Sequence, residues 1–179
     1  MKKILVVVDM QNDFTTGVLG TREAASIVDN VSMKIAEARR RGDIIVFTRD
    51  THGNDYMQTE EGSNLPVPHC IKDTEGWKLV SGLRDDSDLV FNKETFGSVD
   101  LGEFLKMLKA NYTIELIGLC TDICVLSNAV IAKAAMPNAH IIVDAACCAG
   151  VTPESHDTAL NAMKAIQVEV INQGNEPWR

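Results

Sequence analysis

Ile4-Leu5-Val6-Val7-Val8-Asp9 puts five consecutive apolar residues, four of them β-branched, directly before a carboxylate. Side chains of a strand alternate between its two faces, so an unbroken apolar run requires cover on both sides. That is the environment of a parallel sheet between helical layers. Similar runs follow from Asp43 to Arg49, Asp88 to Phe91, Thr113 to Leu119, His140 to Ala146 and Val168 to Ile171. Six strands are predicted. Met1-Lys2-Lys3 and the apolar run after it superficially resemble an export leader, but the run stops at Asp9 before any small-residue cleavage site.

The intervening segments carry helical spacing. Ala24, Val28, Val31, Ile35 and Ala38 step by four and three residues, and Gly42 follows a basic last turn, so one amphipathic crossover helix is expected. Leu101, Phe104, Leu105 and Leu108 mark a second, with Asp100 and Glu103 in positions like those of a capping box. Thr152-Pro153 opens a third that carries Leu160, Met163 and Ile166. Alternating strands and helices predict a three-layer α/β fold: a six-stranded, mostly parallel, doubly wound sheet with helices on both faces. A single domain over residues 1–179 accommodates it. Thr51 to Ser87 alone has neither period, and long irregular segments in compact domains usually serve function.

Hydrophobic residues make up 45% of the chain and charged residues 23%, as in an ordinary globular protein. A net charge of −8 gives no electrostatic reason to bind nucleic acid or an anionic membrane, and Arg39-Arg40-Arg41 is the largest basic cluster. No apolar run approaches the roughly 20 residues that span a bilayer. Five cysteines, at 70, 120, 124, 147 and 148, are an odd number with one adjacent pair, which suggests reduced thiols and a cytoplasmic protein. The apolar helices leave room for a homo-oligomer.

In such sheets ligands bind beyond the carboxyl ends of the strands. Polar residues directly after the apolar runs are therefore the candidate site: Asp9, Asp50, Lys93, and Cys120 to Cys124 after the fourth run. A thiol becomes nucleophilic where a cation or a helix N-terminus favours its thiolate. Cys124 lies between a strand and a helix predicted over 125–135, and Lys93 is expected on the neighbouring strand end. Asp9 could take the thiol proton and return it to a leaving amine. A lone buried cysteine is more often a small hydrophobe, but a carboxylate and an ammonium on the same edge argue for chemistry.

Three stretches carry a resemblance: Val8-Asp9-Met10-Gln11-Asn12-Asp13-Phe14, Asn92-Lys93-Glu94-Thr95-Phe96-Gly97-Ser98, and Gly118-Leu119-Cys120-Thr121-Asp122-Ile123-Cys124-Val125. In this order the chain resembles the isochorismatase-like cysteine hydrolases, and among them the nicotinamidases and related amidases. The resemblance implies a catalytic triad of Asp9, Lys93 and Cys124, an oxyanion hole from the backbone N–H groups of Cys120 and Cys124, and a cis peptide at Leu119-Cys120. It also implies a small amide as substrate, with nicotinamide converted to nicotinate and ammonia through a Cys124 thioester.

Asp50, His52 and His69 offer one carboxylate and two imidazoles, a set suited to zinc or a similar divalent ion. The resemblance assigns them to a metal site, with Glu61 as a fourth ligand. The chain departs from the family where Thr51 and Gly53 flank His52, and where Leu65 or Pro66 stands in place of a tryptophan that could stack on a pyridine. Phe14 and Phe96 match aromatic pocket positions, although a core role for Phe96 is equally open.

Cys120 and Cys124 could suggest a metal pair, but no second pair completes it. Cys147-Cys148 is expected beyond the fifth strand as a structural or pocket-lining pair, His140 at a strand edge, His156 on a helix surface, and Asp85, Asp86 and Asp88 in a solvated loop. Three rival readings remain. Vinyl-ether hydrolysis of the isochorismatase type is closest. An aspartyl phosphohydrolase would want a second acid where Gln11 stands. A noncatalytic binding protein would keep the fold alone.

Overall fold

The computed structural model describes residues 2–108 and 112–179. Strands β1 (Lys2–Val8), β2 (Ile44–Asp50), β3 (Leu89–Lys93), β4 (Tyr112–Leu119), β5 (His140–Ala149) and β6 (Glu169–Ile171) form one sheet in the order β3-β2-β1-β4-β5-β6. Every pairing is parallel. The strand order reverses between β1 and β4, and a doubly wound sheet opens its crevice at such a switch point.

Helices α1 (Asn12–Thr15), α2 (Arg22–Ser26) and α3 (Val28–Arg41) pack their apolar residues on one face with Leu5, Val7 and Phe47. The other face holds Ile4, Val6, Ile114 and Leu116 against α5 (Val99–Met107), α6 (Leu126–Ala135) and α7 (Pro153–Ala165). A short α4 (Glu60–Asn64) lies in the irregular segment. Burying an aliphatic side chain of this kind stabilises by about 1.5–3 kcal/mol, so the two apolar layers drive the fold. No helix among the described residues is long and apolar enough to cross a membrane.

Local chemistry explains the helix ends and corrects two expectations. The crossover helix is divided: α2 ends at Ser26, and Ile27 joins it to α3, whose buried side is Val31, Ile35 and Ala38. Gly42, at φ 71°, closes α3 by donating its N–H to Ala38 and Arg39, a left-handed position that glycine adopts freely. At α5 the cap is Ser98, whose hydroxyl accepts the Leu101 N–H, and not Asp100. Glu103 instead reaches Lys106 on the exposed face. Thr152 and Ser155 cap α7 reciprocally, with Pro153 at its first position.

Beneath α3, Lys34 bridges two acids on neighbouring strands, Glu115 at 2.9 Å and Asp144 at 2.6 Å. β5 runs on to Ala149 and so contains Cys147 and Cys148 rather than preceding them. It re-pairs with β4 after an irregularity between Leu116 and Gly118. Of the three acids expected in a solvated loop, Asp88 is instead largely buried, receiving Arg39 and the Asp85 N–H.

Candidate active site

The switch point creates the geometry. β1 ends at Val8, and Asp9 turns out of the sheet with φ 47°, a conformation costly for a residue with a Cβ and often found at functional positions. Beside it, Gly118 has φ 117°, and a Cβ there would meet the Val8 carbonyl oxygen at 2.1 Å. Only glycine lets the two strand ends approach this closely. The Leu119-Cys120 peptide is cis. A π-helical turn, Thr121–Val125, then leads into α6 and presents Cys124 toward Asp9.

Lys93 does not come from a neighbouring strand. It ends β3, the outermost strand, and its long side chain crosses the end of β2 to reach the switch point. Its Nζ lies 2.6 Å from Asp9 Oδ2, 3.1 Å from Asp50 Oδ1 and 3.6 Å from Cys124 Sγ. All four side chains are buried. Thr48 Oγ1 donates to Asp9 Oδ1 at 2.7 Å, and Asp9 Oδ2 pairs with the Lys93 ammonium.

Electrostatics define the resting state. Burial pushes the Asp9 carboxyl up, and Lys93 works against that rise. Burial, together with the Asp9 charge, lifts the Cys124 thiol well above its ordinary value, and Lys93 only partly opposes it. The thiol therefore rests protonated, in contrast to the thiolate expected from a cation and a helix start. Burial holds the Cys120 thiol up at about 12. Lys93 is itself raised, because Asp9, Cys124 and Asp50 outweigh the burial that would lower it.

A second group lies across Asp50. His52 Nε2 is 2.9 Å and His69 Nε2 3.5 Å from Asp50 Oδ2, while Glu61 Oε1 lies 3.6 Å from both imidazoles. One ligand atom from each of Asp50, His52, Glu61 and His69 falls within 4.8 Å of the others. Two imidazoles and two carboxylates fit a divalent cation. The His69 Nδ1–H donates to the Val67 carbonyl at 2.8 Å, which turns Nε2 toward the cluster, as a metal-ligating imidazole requires. Burial would raise Asp50, but hydrogen bonds from His52 and His69 and the Lys93 charge hold it well below the usual carboxylate range. Tyr56 stacks edge-on behind both rings and donates to the Leu65 carbonyl at 2.8 Å.

A cavity of about 260 Å³ opens onto both groups. Phe14, Leu65, Phe96, Cys120, Cys124 and Val151 are part of its wall. Phe96 thus lies on the cavity, partly exposed, rather than in the core. No tryptophan lines it among the described residues. Trp77 is engaged elsewhere, under Arg49 and donating to Thr51 Oγ1.

Several supporting residues escaped the sequence reading. Gln11 shows in the sequence only the absence of a second acid after Asp9. Fully buried, it accepts the Asp50 N–H at 2.7 Å and donates to the carbonyls of Asp50 and Trp77. Asp13 accepts the Cys70 N–H at 2.7 Å and so anchors the loop bearing His69. Asn128, one helical turn after Cys124, ties the Cys124 carbonyl to Phe96 and Ser98. His156 is buried rather than on a helix surface, because Thr121 and Glu176 enclose it. His140 does lie at an exposed strand edge, against Glu169.

Residues 3–174 match the isochorismatase domain family model. An isochorismatase family protein of Bacillus subtilis is 30% identical over 174 residues, covering 90% of this chain and 93% of its own. The nicotinamidase/pyrazinamidase of Mycobacterium tuberculosis is 26% identical, covering 94% and 98%. Among solved structures, the pyrazinamidase of Pyrococcus horikoshii in complex with zinc superposes with a TM-score of 0.82 at 26% identity, over 96% of this chain and 99% of that one.

Proposed function

We propose that this chain, which belongs to the isochorismatase family, is an amidohydrolase that cleaves a small uncharged carboxamide, nicotinamide foremost, to the acid and ammonia. The observation that carries this reading is Lys93 Nζ held at 2.6 Å from Asp9 and 3.6 Å from the sulfur of Cys124, which lines the cavity. Relatives named as nicotinamidases support the substrate class. The cavity is smaller than the roughly 300–1,000 Å³ usual for drug-sized ligands, which suits a single ring. Phe14, Phe96 and His69 offer it ring faces and edges.

Cys124 Sγ attacks the carboxamide carbon while Asp9 accepts the thiol proton. The oxyanion is met by the N–H groups of Cys120 and Cys124, at the start of a helical segment where the first N–H groups lack intrahelical partners. Asp9 returns the proton to the leaving nitrogen, ammonia departs, and a thioester remains. Asp9 then takes a proton from water as it attacks that thioester and returns it to the departing Cys124 sulfur, which frees the acid and restores the thiol. Lys93 keeps Asp9 ionised between these transfers.

Asp50, His52 and His69, with Glu61, would hold a divalent ion, zinc by ligand type. When bound, it supplies a Lewis-acid anchor for a donor atom of the substrate. Vinyl-ether hydrolysis of the isochorismatase type is less well served, since that substrate carries two carboxylates. Among the described residues, the carboxylates in the cavity wall are Asp50 and Glu61, and no lysine or arginine lines it.

Ammonia release from purified protein tests the proposal with nicotinamide, pyrazinamide and aliphatic amides, with and without chelator. Turnover of aromatic amides, lost in Cys124→Ala and accompanied by a thioester mass in quenched samples, is the expected result. Ammonia from none of the amides would overturn it.

A further inference from the structure

A chain of buried polar side chains runs from the C-terminus to the back of the catalytic turn. Thr121 Oγ1 lies 2.7 Å from His156 Nδ1, and His156 Nε2 lies 3.2 Å from Glu176 Oε1. All three residues are buried, Thr121 and His156 completely. Glu176 Oε2 accepts the Gly174 N–H at 2.9 Å and an N–H of Arg179, which also pairs with Asp157 at 2.5 Å. The Trp178 ring meets the imidazole edge-on at 5.0 Å.

Proton positions follow from the surroundings. Hydrogen bonds from Arg179 and His156 overcome burial and hold Glu176 below the usual carboxylate range, so it accepts. Burial outweighs Glu176 and holds His156 low, so the imidazole is neutral. Its Nε2–H donates to Glu176, and its bare Nδ1 takes the Thr121 hydroxyl hydrogen. Leaving a buried hydroxyl unpaired is costly, so Thr121 has one strongly preferred orientation.

Thr121 directly follows Cys120 and opens the turn that ends at Val125. The same α7 region touches the turn once more, where Asp122 Oδ1 accepts the Val151 N–H at 3.1 Å. Within that region the chain is tight, since a Cβ on Gly150 would meet the His156 backbone nitrogen at 2.9 Å. Gly150 and Val151 line the cavity.

We propose that Thr121, His156 and Glu176 are positioning residues that let the C-terminal tail set the oxyanion-binding turn from behind. The inference rests on the reading of Cys124 as nucleophile and of the Cys120 and Cys124 N–H groups as oxyanion donors. The three side chains do not touch the cavity. They act by fixing the backbone to which those donors belong, where displacements on the order of 1 Å can cost about 100-fold in rate.

The test uses the full chain with Thr121→Val, Thr121→Ser and Glu176→Gln. Three readouts are compared: kcat and KM on a carboxamide, affinity for pyridine-3-carboxaldehyde, whose thiol adduct carries an oxyanion, and the rate of Cys124 alkylation by iodoacetamide, which forms none. For Thr121→Val we expect kcat to fall about 10- to 100-fold with KM within about twofold. Aldehyde affinity should fall by a similar factor, with alkylation within about twofold of wild type and most of the loss restored in Thr121→Ser. Glu176→Gln should show the same pattern at smaller amplitude, and it decides the matter if Thr121→Val fails to fold.

The proposal is overturned if these variants keep kcat within about twofold, or if alkylation falls in step with kcat, which would place the thiol rather than the oxyanion donors under the tail's control. A wild type that releases no ammonia from any carboxamide sinks the amidase reading alone, since the aldehyde and alkylation arms still decide the positioning role. A wild type that forms no aldehyde adduct sinks both.

Discussion

Lys93 Nζ and Asp50 Oδ1 lie 3.1 Å apart, and this contact joins the thiol side of the cavity to its imidazole side. Asp50 offers its other oxygen to His52 and His69. One carboxylate thus balances the lysine that serves Asp9 and completes the ligand set of the cation cluster.

Removing that carboxylate charge should damage both halves. Asp50→Asn is expected to lower bound metal and to cut kcat about 100-fold or more, whereas His69→Ala should lower metal while leaving Cys124 alkylation near wild type. Metal content by mass spectrometry and alkylation rates on the same samples distinguish the two. Equal alkylation rates in both variants would show that Asp50 does not serve the thiol side.

Asp9 must be ionised to accept the thiol proton, and burial raises it above its ordinary 3.8. Activity should therefore fall as pH drops through a midpoint above that value. Lys93→Met removes the charge opposing the rise and should move the acid limb of kcat/KM upward again. A wild-type limb at or below pH 4, or an unmoved limb in Lys93→Met, would contradict the assignment of Asp9 as base.

Leu65 stands on the cavity wall, partly exposed, and is one of the two positions, with Pro66, where the resemblance to nicotinamidases implies an aromatic ring. Leu65→Trp should lower KM for aromatic amides by roughly twofold to tenfold, the worth of one aromatic pair, without raising kcat. Aliphatic amides serve as the control. A gain shared equally by both would point to cavity shape rather than stacking.

Lys34 neutralises Glu115 and Asp144 in a largely buried setting. Burial alone would lower its pKa, but the hydrogen bonds to the two acids raise it, so its contribution is complete at neutral pH and is lost only as pH rises through that elevated value. Lys34→Met strands two buried acids and should cost about 3–5 kcal/mol in urea unfolding at pH 7. Adding Glu115→Gln and Asp144→Asn to Lys34→Met should recover most of the loss. A loss that persists would assign the effect to packing.

The sheet, its parallel sense and the strand-end chemistry were readable because each depends on local pattern: apolar runs such as Ile4 to Val8 followed by a polar residue. What escaped was fixed by contacts distant in sequence. Residues 51–87 have no period of their own because Gln11, Asn12 and Asp13 hold them, through hydrogen bonds to Trp77, Glu75 and Cys70. His156 looks like a surface residue until the C-terminal Glu176 covers it. The strand order placing Lys93 at the sheet edge is likewise a global property, invisible in the spacing of Asn92 and Lys93.

That edge position has an operational meaning. β3 is the outermost strand, and Lys93 is its one fully buried residue. Edge strands with little burial open at lower free energy than a sheet's centre. The protein should therefore lose catalysis in denaturant before it loses its core, with inactivation preceding the cooperative spectroscopic transition, so that turnover acts as an internal gauge of fraying along one rim of the molecule.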